Sequence, residues 1–161
     1  MPGLEDLYRE IILDHYRNPR NRGELPTPPA HRSEGFNPLC GDEIQVYLDV
    51  RDGVVEDIRI SGQGCSISQS SASMMSQAVK GRSLPEARAL LHAFKSMMSI
   101  EDGHDHEDGA DGAAEPGVKM GDLEALQGVV KYPVRIKCAT LAWNTLALGL
   151  DEAETGDPSV N

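Results

Sequence analysis

The stretch IQVYLDVRDGVVEDIRI, residues 44–60, decides the fold. Apolar residues alternate with more polar ones from Ile44 to Val50, and they do so again from Val55 to Ile60. An alternation of period two is typical of strands with one buried face. Asp52-Gly53 separates the two halves and favours a tight turn. The stretch therefore predicts an antiparallel β-hairpin.

Outside the hairpin, apolar residues recur at helical spacing. We expect helices over residues 4–17, 66–80, 84–98, 121–127 and 133–148. Asn18-Pro19, Gly81 and Gly149 are typical helix stops and set three of these ends. The stretch before Cys40 is compatible with a third strand, and the sequence leaves this open. The fold class is therefore α+β, a small antiparallel sheet with helices packed on one face.

A length of 161 residues suits a single domain. Acidic residues are concentrated in two parts of the chain, with seven in residues 101–115 and four in residues 151–157. We expect one domain over residues 1–150, containing a flexible acidic insertion over residues 101–117. A disordered acidic tail follows over residues 151–161.

The charge distribution limits the partners. The net charge of −11 comes from those acidic parts, because the other acidic residues equal the 15 Lys and Arg in number. Nucleic acid binding needs a net basic surface, which is absent. No apolar run approaches the ~20 residues of a membrane span, and no signal peptide pattern opens the chain. We expect a cytoplasmic protein, in which three cysteines indicate metal binding or reactive thiols.

Each cysteine occurs in a setting that suits a metal or sulfur ligand. Cys40 lies in the turn NPLCGD, two residues before Asp42. Cys65 follows GQG and begins a predicted helix, where free backbone N–H groups favour a thiolate. Cys138 lies in the last predicted helix, within an apolar stripe. Three thiolates and one carboxylate suit a tetrahedral zinc ion, and equally a labile iron–sulfur cluster.

Each of these residues also has an ordinary structural explanation. Cys138 could be a small buried apolar residue of the core. Cys65 could simply begin a helix among serines, and Asp42 could cap a turn with its carboxylate. Their joint occurrence at a turn, a helix start and a helix stripe favours one shared site, since a fold is able to bring such positions together at one end of a sheet. The stripe that points Cys138 inward consists of Val134, Cys138, Leu141, Thr145 and Leu148.

Four stretches carry a family resemblance: LYREIILDHYRNPRNRG, NPLCGDEI, GCSISQSSASMM and GDLEALQGVVKYPVRIKCATLAW. With them the chain resembles the SufU-type branch of the IscU and NifU N-terminal domain family, whose members act in iron–sulfur cluster assembly. IscU-type members have a histidine directly before the third cysteine, and this chain has Lys137 there. SufU-type members also have an insertion before the last helix, as this chain does. The resemblance implies an IscU-like fold.

The resemblance further implies a zinc ion held by Cys40, Asp42, Cys65 and Cys138. It implies a partner, a SufS-type pyridoxal-phosphate cysteine desulfurase, which supplies a histidine that displaces Cys40 from zinc. The freed Cys40 thiolate then attacks the persulfide of the partner, which amounts to a zinc-dependent sulfurtransferase-like activity. Arg135, about one helical turn before Cys138, is a candidate for orienting the exchanging thiolate. The sulfur passes to the downstream cluster-assembly machinery.

Two alternatives stay open. The first is a scaffold on which a labile [2Fe–2S] cluster is assembled and then transferred, with Cys40, Cys65 and Cys138 as cluster ligands. Lys137 in place of histidine argues against this role. The second is a purely structural zinc domain, and Asp42 argues against it because structural sites usually have only cysteine and histidine ligands.

Overall fold

The structure, a computed structural model, describes residues 2–27, 30–38, 41–98 and 121–155. Its strands are β1 (His31–Asn37), β2 (Asp42–Arg51) and β3 (Val54–Gln63). Its helices are α1 (Pro2–Arg17), α2 (Ser66–Val79), α3 (Leu84–Met98) and α4 (Pro133–Thr155), with a 3₁₀ helix over Gly121–Lys131. Cys40, the predicted insertion over residues 101–117 and the end of the predicted tail lie outside the described residues.

The predicted hairpin is confirmed. β2 and β3 pair in antiparallel register, with Val46 opposite Ile60 and a register shift between Asp49 and Val50. The turn residues Asp52 and Gly53 both have positive φ, 55° and 76°, which the tight hairpin turn requires.

The third strand, which the sequence left open, is present as β1. It pairs with β2 in antiparallel register, and Asn37 stands opposite Asp42. The sheet order is β1-β2-β3. This pairing places Asp42, the first residue of β2, at one end of the sheet, opposite the last residue of β1.

The core lies between one face of the sheet and the helices. Ile44, Val46 and Leu48 are buried on β2, and α4 packs across β1 and β2 while α2 packs against β3. Trp143 of α4 stacks on Phe94 of α3 with ring centroids 4.6 Å apart. The helices thus cover one face, which confirms the predicted fold class.

The predicted end of the last helix is wrong. α4 continues through Gly149 to Thr155, so the first five residues of the predicted tail are helical. A β-carbon at Gly149 would lie 2.7 Å from Cδ1 of Leu48. The glycine therefore allows α4 to approach β2 closely and does not end the helix. No helix among the described residues combines the length and apolarity needed to cross a bilayer.

The predicted stripe on α4 is correct in its middle and wrong at its ends. Cys138, Leu141 and Thr145 are buried, whereas Val134 is 64% exposed and Leu148 is 53% exposed. A straight helix drifts by about 20° for each seven-residue repeat, so a stripe of that period leaves the buried face after two repeats. Near the end of α4 the buried residues are Leu146 and Leu150 instead.

Candidate metal centre

Three of the four predicted ligands converge at one end of the sheet. Asp42 begins β2, Cys65 directly precedes α2, and Cys138 lies near the start of α4. One carboxylate oxygen of Asp42 and the two sulfur atoms all lie within 4.8 Å of one another. Asp42 and Cys138 are buried and Cys65 is partly exposed. The structure thus assembles a carboxylate and two thiols from three separate elements.

Asp42 contacts the residue that begins α2. Its Oδ1 accepts a hydrogen bond from the backbone N–H of Cys65 at 3.0 Å, and its Oδ2 lies 4.0 Å from the sulfur of Cys65. Gly64 makes this approach possible, because a β-carbon there would lie 2.5 Å from Oδ1. Asp42 therefore orients the start of α2 and leaves Oδ2 beside the thiol.

Cys65 is the N-cap residue of α2. Its backbone is extended, with φ −72° and ψ 172°, and its sulfur accepts a hydrogen bond from the backbone N–H of Ser68 at 3.4 Å. Unpaired N–H groups and the helix dipole give a helix start a positive potential, which favours an anionic sulfur there. The sequence prediction that Cys65 begins a helix is confirmed.

Cys138 is fully buried on α4. Its sulfur lies 3.9 Å from the backbone carbonyl oxygen of Val134, one turn earlier. It faces Cys65 and Asp42 from the helix side of the site. Burial of this thiol alone has the ordinary structural explanation, but burial beside a second thiol and a carboxylate gives a group of donors that could hold a metal ion.

The guanidinium of Arg135 lies against both sulfur atoms. The negative charge of Cys65 is the largest cause that raises the pKa of Arg135, and hydrogen bonds to Cys65 and Cys138 raise it further. The Arg135 residue is exposed. A permanently positive group therefore stands at the solvent side of the two thiols. Lys137, directly before Cys138, is exposed as well.

Cys40 lies outside the described residues, but its flanks are defined. The backbone N–H of Gly41 donates to the carbonyl oxygen of Asn37 at 2.7 Å, which closes the loop between β1 and β2. Asn37 and Asp42 are paired across the two strands. The described residues on either side of Cys40 therefore lie beside Asp42.

The donor set fits zinc. Sulfur ligands bind zinc at about 2.3 Å and carboxylate oxygens at about 2.0–2.2 Å, so ligands of one tetrahedral ion lie within about 4 Å of each other. The three donors described here need to move together by less than about 1 Å to reach that spacing. Two thiols and a carboxylate also leave one of the four positions to a further ligand.

Two contributors to this geometry escaped the sequence analysis. The first is Gly64, whose lack of a side chain admits Asp42. The stretch GQGC held the signal, since glycine beside a ligand often marks a close backbone approach. The second is the buried serine cluster of α2, which donates to neighbouring helices through Ser70 and Ser71. Serine spacing alone does not reveal such partners.

Comparison with known proteins gives matches along most of the chain. The family model described as NifU-like N terminal domain matches residues 7–139. The chain is 44% identical over 154 residues to the zinc-dependent sulfurtransferase SufU of Bacillus subtilis (strain 168), with 96% of each chain covered. It is 40% identical over 144 residues to the iron-sulfur cluster assembly scaffold protein IscU of Streptococcus pyogenes serotype M1, which covers 89% of this chain and 82% of that protein.

A solved structure agrees with the fold. The crystal structure of a nitrogen-fixing NifU-like protein (N-terminal) from Brucella abortus matches with a TM-score of 0.77 and 28% sequence identity. The match covers 95% of this chain and 98% of that one. The IscU-like fold expected from the sequence is confirmed.

Proposed function

Because the chain belongs to the NifU-like N terminal domain family, we propose that it accepts sulfane sulfur from a cysteine desulfurase and passes it on for iron–sulfur cluster assembly. The partner is a pyridoxal-phosphate enzyme of the SufS type. The acceptor is Cys40, and the reaction takes place in the cytoplasm, where reducing conditions keep thiols free. The observation that carries this proposal is the convergence of Asp42, Cys65 and Cys138 within 4.8 Å.

Zinc is the metal of this site, and its ligands are Cys40, Asp42, Cys65 and Cys138. Covalent geometry keeps the α-carbons of Cys40 and Asp42 within about 7 Å of each other, so Cys40 is a natural fourth ligand. The similarity to a relative named as zinc-dependent supports the same metal. When bound, zinc keeps the cysteine sulfurs deprotonated at neutral pH.

The transfer step is a thiolate exchange. The Cys40 thiolate attacks the outer sulfur of the partner's cysteine persulfide, a new S–S bond forms, and the partner's S–S bond breaks. The partner cysteine leaves as a thiolate, and Cys40 carries the persulfide. No net oxidation occurs, because one persulfide is exchanged for another. Arg135 faces the thiols with a positive charge and orients the anionic sulfur during the exchange.

The exposed side of the site suits a protein partner. Cys65 is partly exposed and Arg135 is exposed, whereas Asp42 and Cys138 are buried. A groove beside the site is lined by α1, by Ser66 of α2 and by the start of α4 up to Arg135. A docked desulfurase therefore has access to the thiols from this side without disturbing the buried ligands.

The test is desulfurase turnover in the presence of this chain. We expect the wild-type protein to raise the rate of sulfide or persulfide release from cysteine, and Cys40→Ala to abolish that stimulation. Lys137→Ala is the matched control, since it changes an exposed residue beside the site and no ligand. Unchanged stimulation by Cys40→Ala would show that another residue accepts the sulfur.

A scaffold role is the second candidate function. The similarity to relatives named as IscU scaffold proteins favours it, and the same donors are able to hold a [2Fe–2S] cluster. Lys137 stands against it, because the family resemblance implies a histidine at this position in members of the IscU type. Metal analysis of protein purified without oxygen separates the two functions. Zinc without iron or sulfide supports transfer, and iron with matching sulfide supports the scaffold.

A further inference from the structure

Two adjacent serines on α2 hydrogen-bond to different helices. Ser70 and Ser71 are both fully buried. The hydroxyl of Ser70 donates to the carbonyl oxygen of Ile12 on α1 at 2.7 Å. The hydroxyl of Ser71 donates to the carbonyl oxygen of Ala139 on α4 at 2.6 Å. The two bonds are alike in donor and acceptor chemistry, but the bond to Ile12 is partly buried and the bond to Ala139 is buried. They also differ in the helix that they hold.

Ser71 joins the two helices that carry thiols of the metal centre. Cys65 caps the start of α2, the helix of Ser71. Ala139, the acceptor, directly follows Cys138 in α4. Ser71 also accepts a hydrogen bond from Nε1 of Trp143, one turn further along α4, at 3.2 Å. The bond to Ala139 holds α4 against α2 directly beside Cys138, whereas the bond from Trp143 lies one turn further from the thiols.

The hydrogen bond from Ser71 to Ala139 limits the sliding of α4 along α2. Apolar contacts between helices are not directional, so they allow small sliding movements of one helix along another. A hydrogen bond to a chosen carbonyl loses strength when the distance or angle changes. The Ser71 bond to Ala139 links α2 to the residue directly after Cys138.

We propose that Ser71 is a positioning residue, which sets the separation of the Cys65 and Cys138 sulfurs and so the affinity of the site for zinc. This inference rests on the zinc site of the proposed function. Ser71 touches neither the metal nor the substrate, and it acts through the placement of Cys138. Ser70, which holds α1, has no such role, because the metal centre draws no ligand from α1.

The test compares Ser71→Ala with Ser70→Ala. Each variant removes a serine hydroxyl that donates to a helix carbonyl oxygen, so both should lower the melting temperature of the metal-free protein. The loss should be larger in Ser71→Ala, which also removes the acceptor of Nε1 of Trp143. Zinc affinity, measured by competition with a chelator, should fall about tenfold in Ser71→Ala, as for the loss of an outer-shell partner, and should not change in Ser70→Ala. Equal zinc affinities in the two variants would overturn the proposal.

A spectroscopic measurement adds a readout that stability alone does not move. Cobalt(II) in place of zinc gives absorption bands that report tetrahedral thiolate coordination. We expect these bands to shift and weaken in Ser71→Ala and to match the wild type in Ser70→Ala. Identical spectra in all three proteins would contradict a positioning role.

Trp143→Phe provides an independent variant. It removes the Nε1 donor but keeps the bond from Ser71 to Ala139, so we expect unchanged zinc affinity. A tenfold loss in Trp143→Phe would show that packing of the indole, and not the Ser71 bond, sets the site. If the wild type itself takes up no zinc, the proposed function fails. If the wild type takes up zinc and the serine variants do not differ, only this inference fails.

Discussion

The starts of α2 and α3 are capped in different ways. At α3, the hydroxyl of Ser83 accepts from the backbone N–H of Glu86, and the carboxylate of Glu86 accepts from the backbone N–H of Ser83. This reciprocal pair is a capping box. At α2, the cap is the sulfur of Cys65, which accepts from the N–H of Ser68 at 3.4 Å. Sulfur is a weak acceptor and cysteine is not among the preferred caps.

The start of α3 serves the stability of its helix, whereas the start of α2 serves the metal centre. α3 begins with residues that stabilise a helix, and it contributes no ligand to the metal centre. α2 begins with a residue that stabilises the helix poorly but places a thiol beside Asp42 and Cys138. We infer that Cys65 occupies its position for the site, at a cost in helix stability. Such a cost is common where function and stability compete.

The largest effect is expected from Cys65→Ser. Loss of an outer-shell partner lowers metal affinity by at most about 100-fold. Because Cys65→Ser removes a ligand itself, zinc affinity should fall by more than that. The metal-free protein should keep or raise its melting temperature, since a serine hydroxyl is a better cap. Calorimetry with and without zinc measures both quantities. If the variant melts at a lower temperature without metal and binds zinc normally, Cys65 serves the stability of α2 and not the metal centre.

The next effect is expected from Gly64→Ala. The new β-carbon would meet Oδ1 of Asp42 at 2.5 Å, so the carboxylate has to move away from the start of α2. Zinc affinity should fall about 10- to 100-fold. Gly128→Ala is the control, because nothing lies within 4 Å of a β-carbon there. Equal zinc binding by the two variants would mean that the close approach of Asp42 to α2 is dispensable.

Ser83→Ala tests the other helix start. Loss of an N-cap serine should lower the free energy of unfolding by about 0.5–2 kcal/mol. Zinc affinity should stay unchanged, since α3 lies outside the metal centre. Chemical denaturation and chelator competition give the two values. A loss of zinc affinity in this variant would show that the two helix starts are not independent.

The smallest effect concerns Glu86 and pH. The backbone N–H of Ser83 is the main cause that holds the pKa of Glu86 below its ordinary value of 4.5. A carboxyl group whose pKa is lower in the folded state stabilises the fold at pH values above its unfolded-state pKa. This stabilisation is lost as pH falls through the folded-state pKa. Wild type should therefore exceed Glu86→Gln in melting temperature near pH 7, and the gap should shrink progressively as pH falls below 4.5. A gap that persists in acid would contradict this cap.

Local patterns predicted most elements, and long-range packing decided the rest. Strand alternation and helical spacing located the hairpin, α2 and α3, because these segments bury one face in a regular way. β1 stayed open since its residues, HRSEGFN, include one large apolar side chain, and its partner β2 determines its conformation. Gly149 was taken as a helix stop, whereas its role is to let α4 approach Leu48.

The sequence predicted which residue types form the site, but not the residues that hold them in place. Thiol and carboxylate chemistry singled out Asp42, Cys65 and Cys138 from the sequence, and the structure brings them together. The roles of Gly64 and Ser71 depend on which chain segments meet across the core, and no local pattern contains that information. The assignment of Cys40 as fourth ligand stays a prediction.

The most direct test of sulfur transfer is mass spectrometry of the chain after incubation with a SufS-type cysteine desulfurase and cysteine, without reductant. We expect the peptide containing Cys40 to gain the mass of one sulfur atom. The peptides containing Cys65 and Cys138 should remain unmodified, because these residues are retained as ligands. Persulfide on Cys65 with none on Cys40, or no persulfide on any cysteine, would contradict it.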